Sequence, residues 1–531
     1  MSFTWDLPYP SQRSPLLARN IVAASQPLAA QAGLRMLLKG GNAVDAAVAT
    51  AVALTVVEPT MNGIGSDAFA LVWAEGELHG LNASGRSPAA WSPARYAGRD
   101  KMPTEGWDTV TVPGAVSAWA ALSKRFGRLP FADLFEPAIE YAHNGFLVSP
   151  VIAKQWADAT SRLQDQPNYR ASFMPGGRAP KPGELFRFPD QATTLARIGQ
   201  TGGEAFYRGD LAAKIAASSA AQGGAMTSAD LAAHAADWVQ PIHVAYKGHE
   251  LHEIPPNGQG IAALMALGIL RDFDLANIAV DSVDSLHFQI EAMKLAFADV
   301  YRYVSDPDTM RFKSSDLLNT DYLRQRAHLI DPGRATAFGP GALNSSDTIY
   351  LSAADAEGMM VSYIQSNYMG FGSGVVVPGT GISLQNRGAC FTLEPGHPNQ
   401  VGGGKRPFHT IIPAFLTREG NPLMSFGVMG GDMQPQGHLQ MTVRMLDYGQ
   451  NPQAAADAPR WKVSKTGDVL LEPAVAPDVV EGLRARGHRV RVSKKGEFEI
   501  GSYGSAQLIY RLEDGYVAGS EGRRDGQAVG Y

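Results

Sequence analysis

The alternation of apolar and polar residues after position 347 predicts two strands joined by a tight turn. Residues 348–354 form the first strand and residues 359–365 the second. Between them stands Asp-Ala-Glu-Gly at 355–358, with Asp and Gly at the first and last positions of a type I turn. The preceding residues, 344–347, are small and polar. Thr348 is therefore predicted to lie where an irregular segment enters a sheet.

Apolar residues with helical spacing predict further elements. Residues 43–57 are apolar on nearly all faces, so this helix is predicted to be buried. Asn42 precedes it as an N-cap, and Asp45 stands in its first turn, where the helix dipole favours an acid. Another helix is predicted to begin at the N-cap Ser25, with Pro27 just inside it, and to stop at Gly40-Gly41. Further helices are predicted at residues 112–126, 130–144, 228–234, 261–270, 285–303, 437–446 and 477–486.

Short β-type runs bounded by turn residues predict the remaining strands. They lie at residues 21–24, 69–73, 78–82, 375–384, 410–417 and 423–428, with a hairpin over 244–254. Residues 160–210 are rich in Pro, Gly and Arg and are predicted to form exposed connections. Residues 304–346 show little periodicity and are predicted to be a mobile segment that leads to Thr348.

Composition is typical of a soluble globular protein with more than one module. Of the 531 residues, 45% are hydrophobic and 18% charged, and the net charge of −5 argues against a partner bound mainly through phosphates. Cys390 is the single cysteine, which excludes an internal disulfide and fits a reducing compartment. The first residues lack a signal-peptide pattern, and residues 43–57 are shorter than the roughly 18 that a membrane span needs. The sequence predicts a cytoplasmic protein without membrane or nucleic-acid partners.

Thr348 is a candidate nucleophile as well as a strand residue. Most threonines in such a position are ordinary strand residues, because a hydroxyl attacks poorly without an adjacent base. A cut before Thr348 would supply that base, since the new α-amine has an ordinary pKa of roughly 7.7–8.0. The histidines are scattered without ligand spacing, and no phosphate-binding loop is present, so neither a metal nor a cofactor is predicted.

Several runs of residues in a fixed order resemble the γ-glutamyl transpeptidase family, a branch of the N-terminal-nucleophile hydrolases. They extend over nearly the whole chain and lie at residues 40–51, 57–65, 112–114, 125–130, 137–146, 348–374 and 430–431. The resemblance implies an α+β fold, a four-layer αββα sandwich, made as a precursor that cuts itself between Asp347 and Thr348. The products would be a large subunit, 1–347, and a small subunit, 348–531, that form a heterodimer. The sequence leaves a higher oligomer open.

The resemblance also implies roles for individual residues. Thr348 matches the nucleophile, and the pair Gly430-Gly431 matches the oxyanion hole, where backbone N–H groups stabilise charge on a carbonyl oxygen. Ser366 and Asn367 fall near the positions that orient the threonine and contact the substrate, although the spacing differs by one residue. Arg86 stands alone among small residues and matches the carboxylate-binding arginine, for which its fork geometry is suited.

The departures from the family pattern concern the substrate. Cys390 replaces the aspartate that would hold a substrate α-ammonium, and Arg387 stands in the same run, 385–391. His409 and Thr410 replace two serines that usually assist carboxylate binding. A pocket that lost an anion and gained a cation should reject an ammonium group. It should favour an acyl group that bears a carboxylate but no α-amine.

The leading hypothesis is therefore a self-processing amidohydrolase that acts on a small-molecule amide through an acyl ester on Thr348. Its substrate would be oxamate-like or glutaryl-like, as for the oxamate amidohydrolases and cephalosporin acylases of the family. The alternative is a γ-glutamyl transferase or hydrolase that acts on glutathione-like donors and holds the ammonium with other groups. A non-catalytic binding protein on this scaffold is a third hypothesis, which the retention of Thr348, Arg86 and Gly430-Gly431 disfavours.

Overall fold

Two stacked β-sheets form the centre of the protein in the computed structural model, which describes residues 12–336, 347–494 and 503–531. The strands in chain order are β1 (Leu16–Ala18), β2 (Ile21–Ala24), β3 (Asp67–Ala74), β4 (Glu77–Asn82), β5 (Phe146–Leu147), β6 (Leu185–Phe186), β7 (Asp237–Val239), β8 (Ile242–Tyr246), β9 (His249–Glu253), β10 (Asp347–Ala354), β11 (Met360–Tyr368), β12 (Val376–Val377), β13 (Ile382–Ser383), β14 (Ala414–Arg418), β15 (Asn421–Met429), β16 (Trp461–Val463), β17 (Val469–Leu471), β18 (Val490–Val492), β19 (Ser505–Arg511), β20 (Tyr516–Ser520) and β21 (Gln527–Gly530).

Each of the two large sheets has seven strands in the described part of the chain. One has the order β21-β2-β10-β11-β3-β4-β7, and the other has the order β1-β20-β19-β15-β14-β9-β8. Neighbouring strands run antiparallel throughout both. Their inner faces meet in a buried apolar cluster that includes Phe69, Tyr350, Ile364 and Phe415. The two sheets therefore pack face to face as a sandwich.

Helices cover the outer face of each sheet. In chain order they are α1 (Pro27–Leu38), α2 (Ala43–Val57), α3 (Ala115–Phe126), α4 (Glu136–Asn144), α5 (Pro150–Leu163), α6 (Tyr169–Phe173), α7 (Pro189–Gln200), α8 (Glu204–Tyr207), α9 (Asp210–Ala221), α10 (Ser228–Ala232), α11 (Ile261–Leu270), α12 (Val283–Tyr303), α13 (Ser314–Leu317), α14 (Thr320–Ala327), α15 (Met433–Leu446), α16 (Pro452–Asp457) and α17 (Pro477–Ala485). The helices around α2 share an apolar core with β10 and β11, and α11, α12 and α15 share another with β14 and β15. The predicted α+β fold with αββα layers is confirmed.

Helix α2 shows how local sequence and burial act together. Every residue of this helix is buried, as its apolar faces predict. Asn42 Oδ1 accepts from the N–H groups of Val44 and Asp45, and the Asp45 carboxylate accepts from the N–H of Asn42, so the predicted N-cap is confirmed as a capping box. Among the described residues, α2 and the other helices are all too short or too polar to cross a bilayer.

The hairpin predicted around residues 355–358 is confirmed, because β10 and β11 pair antiparallel on either side of it. The prediction of exposed connections at 160–210 was wrong, since this region contains α6, α7 and α8 and has buried side chains such as Leu195 and Phe206. In α7, Ala192, Leu195 and Ile198 are buried on one face, which is a helical spacing.

Residues 304–346 were also predicted without structure, and that prediction was wrong for α13 and α14. Asn319 caps α14 by accepting from the N–H groups of Asp321 and Tyr322. Residues 337–346, the rest of that segment, lie outside the described residues. The strand predicted at 375–384 is instead the short hairpin of β12 and β13.

Each sheet contains strands from both sides of position 347. The β10–β11 hairpin lies between β2 and β3 in one sheet. In the other sheet, β14 pairs with β9 and β20 pairs with β1. The chain before position 347 and the chain after it therefore share both sheets.

Candidate active site

Thr348 lies at the start of β10, completely buried, and two polar side chains contact its hydroxyl. Thr348 Oγ1 donates to Ser366 Oγ across 3.3 Å. Gln434 Nε2 donates to the same Oγ1 across 3.4 Å. Ser366 is itself oriented by the N–H of Tyr368, which donates to Ser366 Oγ at 2.8 Å. The structure thus brings the predicted nucleophile into contact with the predicted orienting serine.

A β-bulge shapes the strand end at Thr348. The register of β10 against β11 shifts by one residue between Asp347 and Ile349. Two residues of β11, Ser366 and Asn367, therefore lie opposite Thr348. Bulges of this kind disrupt the ladder locally and re-aim side chains beside active sites. Here the bulge directs Ser366 toward the threonine hydroxyl.

The side chain of Asn367 faces a different neighbour. Its Oδ1 accepts from Ser66 Oγ at 2.8 Å, in the Gly-rich loop before β3. The next residue, Tyr368, places its ring beneath the predicted substrate-binding Arg387, with the guanidinium carbon 4.6 Å from the ring centre. Sequence reasoning missed Tyr368. Strand alternation gave no signal for it, because the bulge at Ser366 and Asn367 interrupts the period of two just before Tyr368.

The glycine pair Gly430-Gly431 forms the turn between β15 and α15. The φ angles of 117° and 62° are values that glycine adopts without the strain a Cβ would cause. The carbonyl of Gly430 accepts from the N–H of Met433, and that of Gly431 accepts from the N–H of Gln434. The N–H groups of the two glycines donate to no acceptor within the described residues. They are therefore available to a substrate carbonyl oxygen, as the predicted oxyanion hole requires.

Gln259 fixes this glycine turn against the segment before β14 that carries Thr410. Its Nε2 donates to the carbonyl oxygens of Gly431 at 2.8 Å and Thr410 at 2.6 Å. The side chain is completely buried just before α11. Sequence reasoning missed both Gln259 and Gln434, because no local pattern distinguishes a glutamine that bonds across the fold.

Arg387 is a completely buried cation. Its Nη1 donates to Thr410 Oγ1 at 2.7 Å and lies 3.8 Å from Cys390 Sγ. Its Nε and Nη2 reach no acceptor among the described residues. Burying a charge costs several kcal/mol unless it is paired, so two unpaired guanidinium nitrogens suit a site that takes up an anion.

Asp67 and His409 form a buried pair beside this guanidinium. His409 Nε2 lies 3.1 Å from Asp67 Oδ2, and Asp67 Oδ1 accepts from the N–H groups of Gly85 and Gly114. Burial raises the pKa of Asp67 to about 7, against the opposing effect of Arg387. Burial and the neighbouring arginines hold the pKa of His409 well below its ordinary value. His409 is therefore a neutral imidazole held by Asp67, an acid that sequence reasoning missed.

Arg86 occupies a more open position than Arg387. Its side chain is 43% exposed, and Nη1 donates to Asp306 Oδ2 at 3.1 Å and to the carbonyl of Gly404 at 3.3 Å. Asp306 Oδ2 also accepts from the backbone N–H of Arg406 at 2.7 Å. The predicted carboxylate-binding arginine is thus linked to a loop acid, while Arg387 keeps unpaired donors.

One acid directly follows the glycine pair. Asp432 is buried, and Lys465 Nζ lies 3.7 Å from its Oδ2. Burial lowers the pKa of Lys465, and the negative charge of Asp432 opposes that effect. The carboxylate next to the turn is therefore balanced by a cation of the protein itself. Among the described residues, no group of His, Cys, Asp and Glu is arranged to hold a metal ion.

A buried strand-end threonine, a serine that accepts its hydrogen bond and two glycine N–H groups without an acceptor among the described residues are found on an αββα sandwich. This combination defines the class of N-terminal-nucleophile hydrolases. The chain belongs to the γ-glutamyltranspeptidase family, whose profile matches residues 29–531. The predicted family membership is confirmed, and the chain is an enzyme of that family.

Three relatives show how closely the chain follows this family. It is 37% identical over 535 residues to the glutathione hydrolase-like YwrD proenzyme of Bacillus subtilis (strain 168), with 98% of this chain and 99% of that protein covered. It is 36% identical over 525 residues to the oxamate amidohydrolase proenzyme of Klebsiella pneumoniae, with 96% and 98% covered. The crystal structure of cephalosporin acylase from Bacillus halodurans matches with a TM-score of 0.96 and 48% identity, over 100% of this chain and 99% of that one.

Proposed function

We propose that the chain is a precursor that cuts itself between Asp347 and Thr348 and then acts as an amidohydrolase. The products are a large subunit, 1–347, and a small subunit, 348–531, that remain associated. Its substrate is the amide of an acyl group that bears a carboxylate but no α-amine, either oxamate-like or glutaryl-like. The relatives named as proenzymes, among them an oxamate amidohydrolase and an acylase, support this assignment.

Self-cleavage uses the hydroxyl of Thr348. Its Oγ1 attacks the carbonyl carbon of Asp347, the bond from that carbon to the Thr348 nitrogen breaks, and the nitrogen gains the proton that Oγ1 loses. Water then hydrolyses the resulting ester. This step leaves a carboxyl group on Asp347 and frees both the hydroxyl and the α-amine of Thr348.

Turnover uses the same oxygen with the new α-amine as its base. The amine takes the Oγ1 proton while Oγ1 bonds to the substrate amide carbon, and the N–H groups of Gly430-Gly431 stabilise the oxyanion. The proton passes to the departing amine, and an acyl ester remains on Thr348. Water, deprotonated by the α-amine, attacks that ester and releases the acid.

The observation that carries the substrate assignment is the buried, partly unpaired guanidinium of Arg387. Its Nε and Nη2 offer two donors, the geometry that binds a carboxylate in a fork. The aromatic ring of Tyr368, the thiol of Cys390 and the hydroxyl of Thr410 contact it. The nearby carboxyl group of Asp67 is already bonded to His409 and to two backbone N–H groups. None of these groups offers an unpaired negative charge to a substrate ammonium.

A second candidate function is γ-glutamyl transfer or hydrolysis on glutathione-like donors. The glutathione hydrolase-like relative favours it, as does the buried carboxylate of Asp432 beside the glycine turn. Lys465 at 3.7 Å already balances that carboxylate, so an incoming ammonium would have to compete with it. This charge balance supports the first candidate.

Purified enzyme is expected to hydrolyse a glutaryl anilide, or to release ammonia from oxamate, at least about tenfold more efficiently than it hydrolyses the γ-glutamyl anilide. The reason is the repulsion between a substrate ammonium and the unpaired guanidinium of Arg387, which we expect to exceed roughly 1.4 kcal/mol. A free-energy difference of that size corresponds to a tenfold change in rate. The measurement is kcat/KM for the two anilides, with ammonia release from oxamate alongside. A preference for the γ-glutamyl compound with no activity on the others would favour the second candidate.

Replacement of Arg86 by alanine is expected to lower kcat/KM by about tenfold and to leave self-cleavage intact, because maturation involves no substrate carboxylate. Arg86→Lys should recover part of the loss, since it keeps the charge without the fork. Arg178→Ala is the matched control, because Arg178 forms a comparably exposed ion pair with Glu184. Unchanged kinetics in Arg86→Ala would assign the carboxylate to other groups.

A further inference from the structure

Gln434 holds the Thr348 hydroxyl from the helix that follows the glycine turn. It is the second residue of α15 and is completely buried, with Nε2 3.4 Å from Thr348 Oγ1. At the other end of the amide, Oε1 accepts from the backbone N–H of Ile412 at 3.0 Å. An N–H donor at that end requires the amide oxygen there, so the NH₂ group faces the threonine.

The backbone of Gln434 also belongs to the turn that carries the candidate oxyanion donors. Its N–H donates to the carbonyl of Gly431 at 3.1 Å, and Gln259 Nε2 donates to the same carbonyl oxygen at 2.8 Å. Gln434 therefore contacts both the threonine oxygen, through its side chain, and the Gly431 peptide, through its backbone.

We propose that Gln434 is a catalytic residue that stabilises negative charge on Thr348 Oγ1; this inference rests on the proposed function. In acylation, Oγ1 loses its proton to the α-amine as it bonds to the amide carbon. In deacylation, the bond from the acyl carbon to Oγ1 breaks, and Oγ1 takes the electron pair and then a proton from the α-ammonium. An N–H donor fixed on Oγ1 stabilises the charge in both steps. Such hydrogen bonds are often long in the free enzyme and tighten during the reaction.

This role separates Gln434 from the substrate-binding cations. The same Oγ1 attacks the carbonyl of Asp347 during self-cleavage, so its donor acts in maturation as well as in turnover. Arg86 and Arg387 contact substrate in the proposed function and have no part in maturation. A substitution that slows both self-cleavage and amide hydrolysis is therefore the result expected for a group that acts on the nucleophile.

The test compares Gln434→Glu and Gln434→Met with the wild-type chain. In Gln434→Met, kcat and the rate of self-cleavage are each expected to fall about tenfold, with KM changed by less than about twofold. Gln434→Glu keeps an acceptor for the N–H of Ile412 but places a carboxylate against Oγ1. Its kcat relative to wild type should be lowest at high pH and recover as the pH falls, because the protonated carboxyl group again donates a hydrogen bond.

Gln440→Met is the matched control. Gln440 is a buried glutamine on the same helix, and its amide bonds to the backbone of Gln436 and Trp461 rather than to Thr348. Self-cleavage is followed by denaturing electrophoresis after cell-free synthesis, and kcat is measured on matured enzyme across pH. The inference is overturned if Gln440→Met shows equal losses, if Gln434→Met is unaffected, or if the relative kcat of Gln434→Glu does not change with pH. The proposed function fails separately, if the wild-type chain is not cut before Thr348 or hydrolyses no amide.

Discussion

Thr348→Ala is expected to remain a single uncut chain of 531 residues without measurable amidase activity. The substitution removes the oxygen that attacks Asp347 in maturation and the substrate in turnover, so both reactions lose their nucleophile. The wild-type protein should run as two fragments on denaturing electrophoresis. N-terminal sequencing of the smaller fragment should begin at Thr348.

Thr348→Ser provides the control for this prediction. Serine keeps the hydroxyl and, after a cut, the α-amine, so cleavage and some activity should persist. A small fragment that begins at any other residue would contradict the assignment of the nucleophile. Cleavage in Thr348→Ala would contradict the proposed mechanism of maturation.

Arg387→Gln is expected to change the ratio of glutaryl to γ-glutamyl hydrolysis by at least about a hundredfold, to the benefit of the γ-glutamyl substrate. A hydrogen bond to a charged group contributes about 1.5–3 kcal/mol, and removing the guanidinium also removes its repulsion of an ammonium. Each effect corresponds to about tenfold or more. The measurement is kcat/KM for both anilides in wild type and variant.

Arg387→Lys is the matched variant, because it keeps the charge and loses the fork. It should retain the preference for a carboxylate in weakened form. Self-cleavage should be normal in both variants. The melting temperature of Arg387→Gln should not fall, because the substitution removes a buried charge with unpaired nitrogens. An unchanged substrate ratio would show that Arg387 does not face the acyl group.

The parts of the fold that local sequence determines were predicted well. The cap at Asn42 and the hairpin of β10 and β11 depend on residues that are neighbours in the chain, so pattern and turn chemistry were sufficient. Helix α7 was missed because the Pro and Gly content of 160–210 concealed a single amphipathic segment that begins at Pro189.

The candidate site was predictable only in part. Thr348 stands at a recognisable boundary between polar residues and a strand, and family resemblance supplied the other predicted residues. Gln434 lies 86 positions from Thr348 along the chain, and Asp67 lies 342 positions from His409. Such contacts are set by the packing of the two sheets and α15. No local pattern in the sequence encodes them.

Because the chain before position 347 and the chain after it share both sheets, neither part of the mature enzyme contains a whole sheet. The cut proposed before Thr348 would leave β10 paired with β11 from Ile349 and with β2 from Leu351. Folding of the precursor is unimolecular. After the cut, reassembly becomes bimolecular and depends on protein concentration. The lifetime of the proposed two-chain enzyme would therefore be set by its rate of unfolding and not by refolding.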